Sequence, residues 1–247
     1  MQLTTATAHS WIERWDRQQE RYLPDRETMF AVITDAIAAR TGRPDPVVLD
    51  IACGPGSLGA RIRDRLPRAR VIGVDADPVL LELNRATYGF EIVDRNLGDP
   101  DWFAALPVDQ VDAVVSTTAL HWLEPDHLAA FYARAAQLLR PGGILLNGDD
   151  MPTSATDIEQ LEHELAAGQA EREGVADREA WDEWWTAIEA EPELAHAVAE
   201  RERRRWEHPA SNGIGYEQHV KLLREAGFRA VGTIWQYGRR RIVAAVK

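Results

Sequence analysis

Residues 47–59 read Val47-Val48-Leu49-Asp50-Ile51-Ala52-Cys53-Gly54-Pro55-Gly56-Ser57-Leu58-Gly59. Four of the first five side chains are apolar, as in a strand buried on both faces. The glycines that follow stand at G-x-G-x-x-G spacing, where a strand hands over to a helix beneath a bound nucleotide. Asp50 complicates that reading. It sits at the strand's end, where a carboxylate beside a pyrophosphate would be unfavourable.

The surrounding chain repeats the strand–helix alternation. Ser57 is expected to cap a helix running to Leu66, closed by Pro67, and a second strand follows at residues 71–75. Asp77-Pro78 opens another helix, with proline at the first helical position. Strands are expected at 90–93, 111–115 and 144–147, the last after the turn Pro141-Gly142-Gly143, with a helix from Pro125 before it. Nearly continuous apolar strands between helices predict a parallel sheet covered on both faces. Before this core, Trp11 and Trp15 share a helical face, and Asp25 opens a helix striped by Met29, Phe30, Ile33 and Ile37, with Gly42 as its C-cap. Residues 151–210 are charged and helical, and there Trp181, Trp184, Trp185 and Ile188 form one apolar face. The chain closes with a helix over 216–226 and two strands at 228–236 and 239–246, joined at Tyr237-Gly238 as an antiparallel hairpin. Three parts follow: an N-terminal helical lid (1–45), a core (46–150 and 211–247), and an inserted helical cap (151–210).

The 247 residues are 45% hydrophobic, which suits one large domain with a cap. A net charge of −12 disfavours nucleic acid and anionic lipid as partners. The runs Arg203-Arg204-Arg205 and Arg239-Arg240-Arg241 read as solvated or salt-bridged faces. The lone cysteine, Cys53, reads as a small packed side chain, and no metal ligands stand at ligand spacing. The opening MQLTTATAHSW has no secretory pattern, and no run reaches membrane-spanning length, so a cytoplasmic protein is expected.

A cationic ligand resolves the Asp50 problem. S-adenosylmethionine carries a sulfonium and an ammonium and no phosphate. Asp75 ends the second strand, 19 residues after Gly56, where a carboxylate accepts from ribose hydroxyls. Nicotinamide cofactors share that feature, and a strand-end turn aspartate is the plain structural alternative.

The segments LDIACGPGSLG, VIGVDADP, DAVVSTTALHWL, LLRPGGILL and LLREAGF, in that order, resemble class I S-adenosylmethionine-dependent methyltransferases of the small-molecule, trans-aconitate methyltransferase-like type. The resemblance implies a Rossmann-like α/β fold with a seven-stranded, mostly parallel sheet of order 3-2-1-4-5-7-6, strand seven antiparallel. It implies that Asp50, Ala52, Gly54 and Gly56 surround the methionine part. Asp75 would hold the ribose, and Ala76, Asn96 and Leu97 would lie around the adenine. Thr117 would lie beside the sulfonium. Asn96 stands where many relatives have aspartate, and Asp99 is its alternative.

Methyl transfer needs alignment and exclusion of water, and a base only where the acceptor must lose a proton. His121, after the fourth strand, is the candidate base or orienting group, and the alternative is a bond to the next helix. Asp149, leaving the fifth strand with Asp150, is the second candidate; the pair would bind a cationic acceptor, share a proton, bind a metal or stay as hydrated loop aspartates. Trp11, Trp15 and Tyr22 would close over the cofactor, with Tyr22 above the methionine part, or else pack the N-terminal helices onto the cap. Trp181, Trp184 and Trp185 read as cap core, or as a cage for an amine or flat acceptor. Methylation of a small molecule is the leading function. The alternatives are intramolecular cyclisation of the same cofactor, a protein or RNA methyltransferase with an open groove, a non-enzymatic cofactor-binding subunit, and a nicotinamide-dependent oxidoreductase.

Overall fold

The computed structural model describes residues 3–153, 155–204 and 211–247. Two helices, α1 (Thr5–Gln19) and α2 (Arg26–Thr41), precede β1 (Val47–Ile51). The alternation then runs α3 (Ser57–Arg65), β2 (Arg70–Asp75), α4 (Pro78–Thr87), β3 (Glu91–Asp94), β4 (Val111–Thr117), α5 (Pro125–Leu138) and β5 (Leu139–Asp150). Three helices follow without a strand: α6 (Thr156–Arg172), α7 (Trp181–Glu189) and α8 (Ala195–Arg204). The chain ends in α9 (Tyr216–Glu225) and the hairpin β6 (Ala230–Tyr237) and β7 (Arg240–Val246).

The seven strands form one sheet of order β3-β2-β1-β4-β5-β7-β6. Its first five strands pair in parallel, and β7 runs antiparallel to both β5 and β6. This is the expected topology. Side chains alternate across the sheet with period two. Val48, Val115 and Leu146 pack on one face against Met29, Ile33 and Ile37 of α2 and Leu58 and Ile62 of α3. Leu49, Val114 and Leu145 pack on the other, against Phe131 and Tyr132 of α5 and Leu223 of α9. A third cluster lies away from the sheet. It joins Ala8, Ile12 and Trp15 of α1 to Val79 and Leu83 of α4 and to Trp184, Trp185 and Ile188 of α7. The N-terminal helix α1 and helices α7 and α8 thus share one apolar core over α4.

Several local expectations are corrected. Gly56, at φ 95°, occupies the N-cap of α3, and Ser57 lies inside the first turn. The Ser57 hydroxyl donates instead to Asp16 Oδ1 at 2.6 Å. Asp25 holds the N-cap of α2 but makes no capping bond, because its carboxylate faces Arg240 at 3.0 Å. The third strand begins at Glu91; Phe90 packs on Tyr88 and on the surface left bare by Gly59. The fifth strand begins at Leu139, not after the Pro141-Gly142-Gly143 turn, whose residues form an irregularity inside the strand. The hairpin strands start two residues and one residue later than expected, with Gly238 at φ 54° in the turn.

Both arginine runs are tied down where they are described. Arg204 makes a two-pronged pair with Asp94, and Arg240 is buried against Asp25. Arg205 and the end of the expected cap lie outside the described residues. Cys53 is buried, and burial, then the charges of Asp75 and Asp50, push its thiol far above the ordinary range.

Gly56 is needed twice over. A Cβ there would stand 2.7 Å from Asn84 Nδ2, and the backbone is left-handed. Gly56→Ala is expected to destabilise the fold by about 1–3 kcal/mol, the typical range for a strained backbone conformation. The urea midpoint reads this out, and an unshifted midpoint would show that α4 yields freely.

Candidate active site

One cleft of about 980 Å³ opens at the C-terminal edge of the parallel strands. That is the expected place for a ligand in an α/β sheet, and the size lies at the upper end of the ~300–1,000 Å³ range of small-molecule pockets. Asp50, Ala52, Gly54, Asp75, Ala76, Asn96, Leu97, Thr117, His121, Asp149 and Tyr22 all line it. Gly56 does not; it sits behind the turn against α4, which it allows to approach.

The turn after β1 is wound tightly. Ala52, Gly54 and Gly56 all have positive φ, at 51°, 52° and 95°. A left-handed alanine is uncommon and marks a backbone held for a purpose. Asp75 braces this turn. Its Oδ2 accepts from the Gly54 N–H at 2.8 Å, and Oδ1 accepts from Ala76 and Asp77 at 2.7 and 2.9 Å. Burial lifts its pKa to about 6 against those backbone bonds. A carboxylate has roughly four acceptor positions, so one remains for a ligand hydroxyl.

Asp50 is 2% exposed, and its Oδ2 has no hydrogen-bond partner, although it lines the cleft. Burial, then the neighbouring charge of Asp75, raises its pKa to about 8. An unpartnered buried carboxylate oxygen costs free energy unless a donor meets it. The donor it suits best is a cation, such as an ammonium.

At the adenine end, the Asn96 Oδ1 accepts from the Gly98 N–H at 2.9 Å, so its carbonyl is already engaged within its own loop. Asp99 does not reach the cleft lining. Arg201 of α8 borders this end and pairs with Asp77 at 2.7 Å, while Arg204 donates to the Ala76 carbonyl at 2.7 Å.

At the other end, His121 and Asp149 come together. Asp149 is 1% exposed, and its Oδ1 lies 2.7 Å from His121 Nδ1; its Oδ2 accepts from the His121 backbone N–H at 3.2 Å. A carboxylate only accepts, so Nδ1 carries the proton and Nε2 is left as the free basic atom. Burial pulls the His121 pKa down, but the charge and hydrogen bond of Asp149, with Asp150 behind, outweigh it and leave it raised. Beside them Arg239 Nε pairs with Asp150 at 3.3 Å.

The wall opposite the sheet comes from α1 and α7. Trp15 and Trp181 rings lie 5.1 Å apart, Trp181 and Trp122 6.3 Å, and His121 and Trp122 5.3 Å. The Tyr22 hydroxyl accepts from the Trp181 N–H at 3.0 Å, so Tyr22 is anchored to the start of α7. Trp184 is fully buried and belongs to the core, whereas Trp181 and Trp185 border the cleft.

Arg26 was not foreseen. It lines the cleft, is 7% exposed, stacks on Phe30 at 4.6 Å, and pairs with Asp16 at 2.7 Å. One signal in the sequence marks it: a cation in the first turn of a helix opposes the helix dipole. Among the described residues, no group of three or more His, Cys, Asp or Glu could hold a metal, and no helix is long and apolar enough to cross a membrane.

The sheet order, the braced glycine turn and the unpartnered carboxylate oxygen of Asp50 support a class I S-adenosylmethionine-dependent methyltransferase domain. Residues 48–143 match the family described as methyltransferase domain. A trans-aconitate 2-methyltransferase of Azoarcus sp. is 32% identical over 136 residues, 53% of this chain and 49% of the relative. A malonyl-[acyl-carrier protein] O-methyltransferase of Hahella chejuensis is 30% identical over 133 residues, 53% of this chain and 46% of that one. The chain therefore spans about half the length of these curated relatives. An O-methyltransferase family protein from Burkholderia thailandensis shares the fold, with a TM-score of 0.55 at 18% identity over 97% of this chain and 69% of that one.

Proposed function

We propose that this protein methylates a hydroxyl of a small-molecule acceptor, using S-adenosylmethionine and releasing S-adenosylhomocysteine. The observation that carries the reading is the His121–Asp149 pair, 2.7 Å apart, on the wall of the same cleft that holds the bare Asp50 oxygen. The residues fit the cofactor. Asp50 would receive its ammonium, Arg26 its carboxylate and Asp75 its ribose, with Ala76 and Leu97 beside the adenine and Thr117 near the sulfonium. When bound, the cofactor supplies an electrophilic methyl carbon, whose bond to sulfur breaks with its electron pair remaining on sulfur.

The chain's own residues do the rest. His121 Nε2 takes the hydroxyl proton as the oxygen forms its bond to carbon. Asp149 fixes the imidazole's tautomer and direction. Residues 1–45 and 151–210 act as lid and cap, excluding water from a step that depends on alignment. That the Hahella and Burkholderia proteins are named O-methyltransferases supports an oxygen acceptor. The cleft extends past the glycine turn to His121 and Arg239, which favours a separate acceptor over intramolecular cyclisation. A small acceptor, a cytoplasmic setting and no nucleic-acid or membrane partner complete the reading, supported by the size of the cleft and the acidic composition.

Calorimetry with S-adenosylhomocysteine and NADH side by side tests the cofactor. Only the former is expected to bind. Asp75→Ala is expected to weaken that binding by about 1–3 kcal/mol, the cost of a lost hydrogen bond to a buried carboxylate. An unchanged dissociation constant would remove Asp75 from the ribose site.

A further inference from the structure

Asn147 of β5 is fully buried, yet neither its Oδ1 nor its Nδ2 has a hydrogen-bond partner. A buried amide left so costs free energy at both atoms, and native structures meet such groups with protein or water. Its neighbours on this face of the sheet, Leu145 and Val243, belong to the apolar core, so packing alone favours a hydrocarbon here.

Polar groups converge on this face behind the cleft wall. Side chains two apart on a strand point the same way, so Asn147 and Asp149 stand side by side, about 6.6 Å apart at ~3.3 Å per residue. From α5 and α9 come Tyr132 and His219, both buried, with the Tyr132 hydroxyl 2.7 Å from His219 Nδ1. Burial raises the Tyr132 pKa, and the Asn147 amide beside it pulls the other way without making a full hydrogen bond. The charge of Asp149 reaches both Tyr132 and His219.

Asp149 has room for one more donor. Its Oδ1 meets His121 Nδ1 at 2.7 Å and the Asp150 N–H at 2.9 Å, whereas Oδ2 accepts only the His121 N–H at 3.2 Å. Each carboxylate oxygen has about two acceptor positions, so one on Oδ2 remains. One water bonded at about 2.8 Å to each side bridges an amide and a carboxylate standing too far apart for a direct bond.

We propose that Asn147 is a positioning residue for the His121–Asp149 pair, binding with the Tyr132 hydroxyl one buried water that donates to Asp149 Oδ2. This deepens the methyltransferase reading, on which its effect on turnover rests. A buried water commonly makes about three hydrogen bonds, and these three groups supply them. The donor on Oδ2 steadies the negative charge of Asp149, so the pair holds an extra proton less tightly. His121 then stays neutral, as a base must, down to lower pH.

Imidazole NMR follows the His121 titration without turnover, with His121→Ala identifying the signal. Asn147→Leu should raise the midpoint by about 0.5–1 pH unit, the size of a weakened hydrogen bond to a charged group. The other charges facing the pair stay in place: Asp150 on the same strand, Arg239 and Arg241 on the hairpin. His219 is neutral near pH 7, because burial lowers its pKa to about 4. In Asn147→Leu, kcat should fall on the acidic limb and match the wild type on the plateau; a merely structural residue would lower both alike. Asn147→Ser, which keeps a polar group and space for water, should restore the midpoint. Tyr132→Phe, which removes another partner of the water, should shift it the same way and serves if Asn147→Leu folds poorly. A high-resolution crystal structure should show the water within hydrogen-bonding distance of Asn147 and Asp149. No water there, or a midpoint indifferent to both Asn147→Leu and Tyr132→Phe, overturns the proposal and leaves the methyltransferase reading standing. Failure of the wild-type protein to bind S-adenosylhomocysteine overturns that reading and leaves the titration result as it is.

Discussion

Replacing His121 with alanine is expected to lower kcat by about 10²–10⁴-fold, the usual contribution of a positioned general base. S-adenosylhomocysteine should bind as before, since His121 touches the acceptor side of the cleft. The pH profile carries the finer test. The imidazole must be neutral to take a proton, and its pKa is raised by Asp149 despite burial. Wild-type kcat should therefore climb through a pH somewhat above the ordinary histidine value and then level. In Asp149→Asn the carboxylate that holds the proton on Nδ1 is gone, so the climb should move to lower pH and the plateau should fall. The two shifts have opposite implications at low pH, where the variant retains a larger fraction of its own maximum. A pH-independent kcat in the wild type, or a His121→Ala enzyme of near-normal rate, would leave the pair with a purely structural task.

The parallel strands and the terminal antiparallel hairpin are legible because β1 with its glycine turn, the strand-end aspartates and the hairpin turn are local signals, whereas the sheet order came from the resemblance to a known family. Burial on both faces leaves strands little choice of residue, so their pattern is plain. Boundaries were less legible. Pro141-Gly142-Gly143 reads as a turn by residue type, yet β4 pairs with Leu139 before it and with Ile144 after it, so the strand runs through it as an irregularity. Ser57 has a capping side chain, but Asp16, 41 residues earlier, takes its hydroxyl. That pairing belongs to tertiary structure, and no local rule carries it. The site divides in the same way. Asp50, Asp75 and His121 are placed by their positions at strand ends. The joining of His121 to Asp149 depends on β4 and β5 lying side by side, and Arg26 enters the cleft because α2 packs under the glycine turn. Trp181, Trp184 and Trp185 share one helical face, but only the packing of α1 separates the core tryptophan from the two that border the cleft.

Asp50→Asn is expected to make the ligand-free protein more stable at neutral and higher pH while it nearly abolishes cofactor binding. The carboxyl's pKa is raised to about 8 by burial and by Asp75, against roughly 3.9 for an unperturbed aspartate. Between those values the folded state holds a proton that the unfolded chain releases. Stability therefore falls as pH rises through this window, and the loss is complete above pH ~8. Asparagine does not titrate, so the variant's urea midpoint should lack this decline and should exceed the wild type's at pH 8. Binding responds in the opposite sense. An arriving ammonium favours the ionised carboxylate, so at pH 7 the wild type should release close to one proton as S-adenosylhomocysteine binds. Calorimetry in buffers of different ionisation enthalpy measures that proton directly. In Asp50→Asn the release should vanish and affinity should drop by about 2–5 kcal/mol, the cost of removing one member of a buried charge pair. Opposite signs for stability and binding are what a strained ligand-binding group produces, whereas a scaffold residue would weaken both together. Proton release that persists in the variant, or a variant less stable than wild type at pH 8, would mean that the ammonium is held elsewhere in the cleft.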